Sequence, residues 1–253
     1  MIRFLASVTT VDEARIALAG GAQLIDAKDP RRGPLGPLAA VIVRDIVDAV
    51  EGAAPVSATL GHDLDPEDDV DARCEGLAAA GVTFMKVGVA DPAHAAERVR
   101  ALRSVASRFR IVLVVLADCA NPDPLVDCAA DVGLHGIMLD TYAKRDAAGR
   151  ARALRDLMTE AQLAGFVRAA QEHRLLAGLA GGLRSDDVAP LARVGPDVLG
   201  FRGGLCAGSN RRGAVELERV SSVRRAIDEA GAGPIRLALG ASSAGQLGYR
   251  PSR

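Results

Sequence analysis

Of the 31 basic residues in this 253-residue chain, only three are lysine: Lys28, Lys86 and Lys144. The rest are arginine, so lysine stands out as the residue kept where a fixed positive charge will not serve. An amine can lose its proton and attack a carbonyl, whereas guanidinium stays charged across the useful pH range. Asp26 lies two residues before Lys28, so on a strand both side chains point to the same side. Asp140 lies four residues before Lys144 in the run Asp-Thr-Tyr-Ala-Lys. Ammonium groups that share a dry mouth repel one another, and burial disfavours charge. Both effects lower a lysine pKa from ~10.4 toward the ~7–8 that suits nucleophilic or base chemistry. One amine can then form a Schiff base while its neighbour moves protons. A single lysine would read as well as a strand cap or half of a surface ion pair. Three lysines at strand ends, with arginine everywhere else, favour chemistry. Asp140 reads equally as an acid that polarises a hydroxyl or holds an ammonium, and as a cap of the next turn.

Two glycine pairs form a second constellation. Gly181–Gly182 stand in Leu179-Ala-Gly-Gly-Leu, and Gly203–Gly204 follow Arg202 in Gly200-Phe-Arg-Gly-Gly-Leu. Glycines let backbone N–H groups approach an anion closely, and Arg202 is placed to add a bidentate contact. The four histidines, His62, His94, His135 and His173, have no metal-ligand spacing, and neither HxH nor HExxH occurs. No P-loop, GxSxG elbow or GxGxxG after the first strand is present. The expectation is a site with no metal and no cofactor.

The elements that must carry these residues alternate along the chain. Strands are predicted at Phe4–Val8, Leu24–Ala27, Val56–Leu60, Phe84–Val87, Ile111–Leu116, Gly136–Leu139, Leu175–Leu179 and Val198–Phe201. Helix starts lie between them. Thr10 and Glu13 have capping-box spacing before Ala14–Ala19, Asp65-Pro66 and Asp91-Pro92 each place a cap before proline, and Ser185 can cap a helix through Leu191. Ala214–Ala230 is the last long helix, and Asp63 opens an acidic run that reads as a solvated helix start. Eight alternating units in about 250 residues predict an α/β fold, a (β/α)₈ TIM barrel, whose active site lies at the C-terminal strand ends. Those ends bring together Ser7, Asp26, Lys28, Ser57, Thr59, Lys86, Asp118, Asp140 and both glycine pairs. The loops after strands seven and eight are the usual phosphate site of this fold. One domain over residues 1–233 and a C-terminal extension over 234–253 are expected.

Composition sets the remaining bounds. A net charge of −1 gives no general pull toward nucleic acid or anionic membrane. No apolar run approaches the ~18 residues of a membrane span, and no signal segment precedes the first strand. Cys74, Cys119, Cys128 and Cys206 form no CxxC pairing and read as reduced thiols. The expectation is a soluble cytoplasmic protein with a small-molecule partner; a homo-oligomer is compatible with the sequence.

The phrases Ala19-Gly-Gly-Ala-Gln-Leu-Ile-Asp-Ala-Lys-Asp-Pro, Leu35-Gly, Val56-Ser-Ala-Thr-Leu-Gly, Phe84-Met-Lys-Val-Gly, Met138-Leu-Asp-Thr and Phe201-Arg-Gly-Gly-Leu-Cys resemble the (5-formylfuran-3-yl)methyl phosphate synthases. That family makes the furan precursor of methanofuran. The similarity runs from the first strand to about Glu218. It implies a (β/α)₈ barrel that condenses two molecules of glyceraldehyde 3-phosphate, releasing one phosphate and water. By this resemblance Lys28 matches the Schiff-base lysine and Lys86 the proton-transfer lysine, while Asp26, Asp140 and Lys144 match acid and lysine positions of the mouth. The residues by themselves also fit a Schiff-base aldolase, a phosphosugar isomerase, or a barrel that binds a phosphorylated metabolite without turnover.

Overall fold

A computed structural model describes residues 1–63, 69–144, 148–149 and 152–232. Eight parallel strands close on themselves in sequence order. They are β1 (Arg3–Val8), β2 (Leu24–Ala27), β3 (Val56–His62), β4 (Phe84–Val89), β5 (Ile111–Leu116), β6 (Gly136–Asp140), β7 (Leu176–Leu179) and β8 (Val198–Phe201). The helices are α1 (Val11–Ala19), α2 (Ala40–Val50), α3 (Val70–Ala79), α4 (Ala95–Ala101), α5 (Arg103–Ala106), α6 (Asp123–Asp131), α7 (Glu160–Glu172), α8 (Val188–Val194) and α9 (Leu217–Gly231). The predicted TIM barrel is the fold observed.

The strands are apolar on both sides because both sides are covered. Phe4, Ala6, Ile25, Leu113 and Ile137 pack outward into the layer between barrel and helices. Leu5, Leu24, Phe84, Val112, Val114 and Met138 fill the interior. Strand alternation then decides what stands above that plug. Ser7 follows Leu5, Asp26 follows Leu24, Lys86 follows Phe84 and Asp140 follows Met138, each two residues on and so on the same inward face. The barrel interior is apolar at its base and polar at its mouth.

Several expected boundaries move. β4 continues two residues beyond Val87, paired with β3 to Gly88 across a register irregularity between Thr59 and Gly61 and with β5 to Val89. Lys86 is therefore inside a strand, not at its end. Asp91 does not cap a helix at Pro92; its carboxylate accepts from Ala93 N (3.0 Å) and pairs with His94, and α4 starts at Ala95. Ser185 opens a short 3₁₀ turn, Ser185–Asp187, ahead of α8. Asp63 itself accepts from Ala90 N and Asp91 N and pairs with Arg98, whereas Asp69 at the far end of the acidic run caps α3 through Ala72 N, so the run does lead into a helix. The Asp65-Pro66 cap and the C-terminal extension lie outside the described residues. All four cysteines are free thiols, and burial raises that of Cys74 to about 11.

Candidate active site

The loop after β2 folds back over the barrel mouth. Asp29 caps the turn Pro30–Arg32, its backbone N–H donates to Gly36 O, and Thr59 Oγ1 on β3 donates to Leu35 O at 3.0 Å. Leu35 is 1% exposed and sits where a side chain at position 88 would be; a Cβ added to Gly88 would meet Leu35 Cδ1 at 2.1 Å. This closure leaves a cavity of about 540 Å³ at the C-terminal ends of the strands, lined by Lys28, Lys86, Asp140, Lys144 and both glycine pairs.

All three lysines of the chain meet two buried aspartates there. Asp26, fully buried on β2, accepts from Ser7 Oγ at 2.9 Å and Ser57 Oγ at 2.7 Å, its register neighbours on β1 and β3. Lys86 Nζ lies 2.5 Å from Asp26 Oδ1. Lys144 Nζ donates to Asp140 Oδ1 at 2.7 Å and to Thr141 Oγ1 at 2.8 Å. Lys28 bridges the two carboxylates at longer range, 3.7 Å from Asp26 Oδ2 and 3.8 Å from Asp140 Oδ2. The result is an alternating chain of charge, Lys86–Asp26–Lys28–Asp140–Lys144, with one more cation than anion. Its middle amine makes no close hydrogen bond to either acid. That leaves Lys28 as the amine whose nitrogen can turn to a ligand in the cavity.

Electrostatics follow from this order. Burial pushes the Asp26 carboxyl up, but the Lys86 and Lys28 charges with the Lys86 and Ser57 hydrogen bonds outweigh it and hold the group below its ordinary value. Asp140 behaves likewise: burial opposes its charge, yet Lys144 and Lys28 keep it ionised well below the usual carboxylate range. Lys86 is lowered from the ordinary amine value chiefly by burial, partly offset by Asp26, with Lys28 adding repulsion. Lys144 is lowered by burial as well, against the pull of Asp140. Two amines held below the usual range thus stand beside two ionised carboxylates, an arrangement able to take up and return protons.

The loops after β7 and β8 border the same cavity, with Gly181 packed beside Asp140 and Thr141. Gly181 and Gly182 have φ of 104° and 67°, conformations that only glycine adopts without strain, and a Cβ on Gly182 would lie 2.6 Å from Arg152 O. Among the described residues, the backbone N–H groups of Gly181, Gly182, Gly203 and Gly204 donate to no protein acceptor. Arg184, Arg211 and Arg212 line the same end of the cavity.

Arg202 departs from expectation. It borders the cavity, but its guanidinium is consumed inside the protein. Nε donates to Arg211 O, Nη1 to Ser7 O and Glu13 Oε2, and Nη2 to Glu13 Oε1 and Gly213 O. No N–H is left for a direct bidentate contact, and Arg202 holds the β8 loop in place instead. Glu13 is the partner that sequence reasoning missed. Thr10 does cap α1 through Glu13 N, yet the Glu13 carboxylate turns to Thr9, Val215 N and Arg202 rather than back to Thr10. A glutamate at capping-box spacing gives no sign of a second, tertiary task. Arg211 was hidden among many arginines. Serines 7 and 57 were visible only as strand ends.

Geometry of this kind defines a (β/α)₈ barrel whose mouth gathers three lysines, two buried aspartates and two glycine pairs with open backbone N–H groups. The family model for 4-HFC-P synthase matches residues 4–224, and the chain belongs to that family. A relative from Methylorubrum extorquens is 43% identical over 234 residues, spanning 92% of this chain and 93% of its own. The (5-formylfuran-3-yl)methyl phosphate synthase of Methanosarcina acetivorans is 31% identical over 234 residues (88% and 97%), and that of Methanopyrus kandleri 32% over 238 residues (89% and 98%). Among solved structures, a phosphoribosylanthranilate isomerase of Thermotoga maritima superposes with a TM-score of 0.62 at 15% identity, covering 90% of this chain and 100% of that one. That likeness speaks for the barrel alone.

Proposed function

We propose that this enzyme joins two molecules of glyceraldehyde 3-phosphate into (5-formylfuran-3-yl)methyl phosphate through a Schiff base on Lys28, supplying the furan of methanofuran. The observation that carries the reading is the five-member charge chain, in which Lys28 alone is held beyond hydrogen-bond range of both acids. Its neutral amine adds to the carbonyl of one triose phosphate, and water leaves as the iminium forms. The iminium acidifies the neighbouring C–H, and Lys86 with Asp26 takes that proton to give an enamine. The enamine expels the phosphate on its third carbon. The enol so formed attacks through that carbon the carbonyl of the second triose, isomerised by the same base to its ketose phosphate, whose oxygen collects a proton from the Asp140–Lys144 side. Ring closure of the terminal hydroxyl onto the remaining ketone and loss of two waters give the furan, and water cleaves the imine to restore Lys28. The net change is two trioses to one furan, one phosphate and two waters, with no redox step, metal or cofactor required. The N–H groups of the two glycine pairs hold a phosphate, with Arg211, Arg212 and Arg184 compensating its charge. The test is incubation with glyceraldehyde 3-phosphate: furan absorbance growing with free phosphate in equal amounts supports the reading. A reversible aldol product without phosphate release would make the protein an aldolase, and absence of turnover a binding barrel.

A further inference from the structure

The loop after β6 carries Lys144 into the charge chain, yet it is not held there by its own strand. Asp118, just past the end of β5, turns a carboxylate whose side chain is only 5% exposed toward that loop. Its Oδ1 accepts from Tyr142 N at 2.6 Å and its Oδ2 from Ala143 N at 2.8 Å, the two residues immediately before Lys144. Arg152 closes the other side: its backbone N–H donates to Lys144 O at 3.0 Å, and its guanidinium lies 3.8 Å from Asp118 Oδ2. Lys144 is thus gripped before and after its own α-carbon, on one side by Asp118 directly and on the other by the backbone of Arg152, whose guanidinium pairs with Asp118. A carboxylate that takes two consecutive backbone N–H groups fixes the direction of the peptide that bears them. Here that direction sends Nζ down to Asp140 and Thr141 Oγ1.

We infer that Asp118 is a positioning residue of the active site, setting the reach of Lys144 toward Asp140 and, through Asp140, the charge facing Lys28. Asp118 itself does not line the cavity, so it acts through the β6 loop and not on substrate. The inference rests on the proposed reaction only for its kinetic consequence; the geometric claim stands apart from it.

The experiment has two arms. The first uses the protein's scarcity of lysine: with three lysines, the ¹³Cε signals of lysine-labelled protein give three resolvable titrations. In Asp118→Ala the Lys144 signal should titrate closer to the ordinary amine value of ~10.4, because the freed loop returns the ammonium to water, while the Lys86 signal stays where it was. Asp118→Asn keeps one acceptor oxygen and should fall between. The second arm is a double-mutant cycle on furan synthesis. Asp118→Ala should lower kcat by at least about tenfold in the wild-type background, in keeping with the cost of small misplacements, with less change in KM. In a Lys144→Ala background it should lower it no further. An unmoved Lys144 titration overturns the inference even if the protein makes no furan. Equal losses in both backgrounds overturn it as well, since that pattern would mean Asp118 serves only the fold.

Discussion

Arg202 offers the sharpest contrast between a ligand contact and a structural tie. Its side chain and that of Glu13 are 7% and 9% exposed, and they form a two-pronged pair at 2.6 and 3.1 Å. Removing one member of a buried pair strands the other's charge, at a cost of about 3–5 kcal/mol. For a domain of this size 1 kcal/mol lowers Tm by roughly 2–4 °C, so Glu13→Gln should lower Tm by about 6–20 °C. Arg202→Met should cost as much and also free Ser7 O, Arg211 O and Gly213 O from their donor. The loop that presents Gly203, Gly204 and Arg211 then loosens, so KM should rise in both variants at temperatures where they remain folded. Thermal denaturation followed by circular dichroism gives the first number, and steady-state kinetics with phosphate as competitor gives the second. The contrary outcome is clear. If Glu13→Gln leaves Tm and KM near wild type while Arg202→Met keeps its Tm and loses only phosphate affinity, Arg202 is a direct anion ligand and the reasoning fails.

Three further outcomes follow from the same geometry. Lys86→Arg keeps a cation beside Asp26 but no base, so substrate should still be trapped by borohydride at Lys28 while furan synthesis drops by at least ~10²-fold; substantial furan synthesis in this variant would move the base elsewhere. Gly182→Ala forces a side chain into a left-handed conformation and against Arg152 O, and should raise KM several-fold and weaken competitive inhibition by sulfate, as read by initial rates; unchanged KM would take the phosphate away from this loop. The carboxyl pKa values of Glu13, Asp26 and Asp140 are depressed in the folded protein, so the unfolded chain binds more protons on acidification. Their stabilisation is complete above the ordinary carboxylate values of ~4 and is lost as pH falls through the folded values. Tm should therefore be level from neutral pH to about 4.5 and decline below it, and a Tm that rises on acidification would contradict the ionised state of this cluster.

The barrel was legible because its signals are repetitive: eight apolar runs separated by capped, alanine-rich helices leave little choice of topology. The charge chain was legible for a different reason. Lysine is rare in this sequence, and Asp26 and Lys28 share a strand face by simple alternation. What alternation cannot reveal is distance between strands. Nothing in the sequence says that Lys86 binds Asp26 closely while Lys28 stands between two acids, since that depends on barrel closure and on the irregularity between Thr59 and Gly61. Arg202 misled because an arginine beside a glycine pair looks the same whether it faces an anion or a buried glutamate 189 residues away in sequence. Asp118 was visible as a strand end, but its task depends on the return path of a loop after a different strand.

The role of Lys28 can be measured without ambiguity because the chain holds so few amines. Borohydride reduction in the presence of glyceraldehyde 3-phosphate, followed by peptide mass analysis, should place one triose phosphate adduct on the peptide that contains Lys28, and Lys28→Arg should abolish both adduct and furan while leaving the circular dichroism spectrum unchanged. An adduct on Lys86 or Lys144, or furan synthesis by Lys28→Arg, would contradict the Schiff base assigned to this residue.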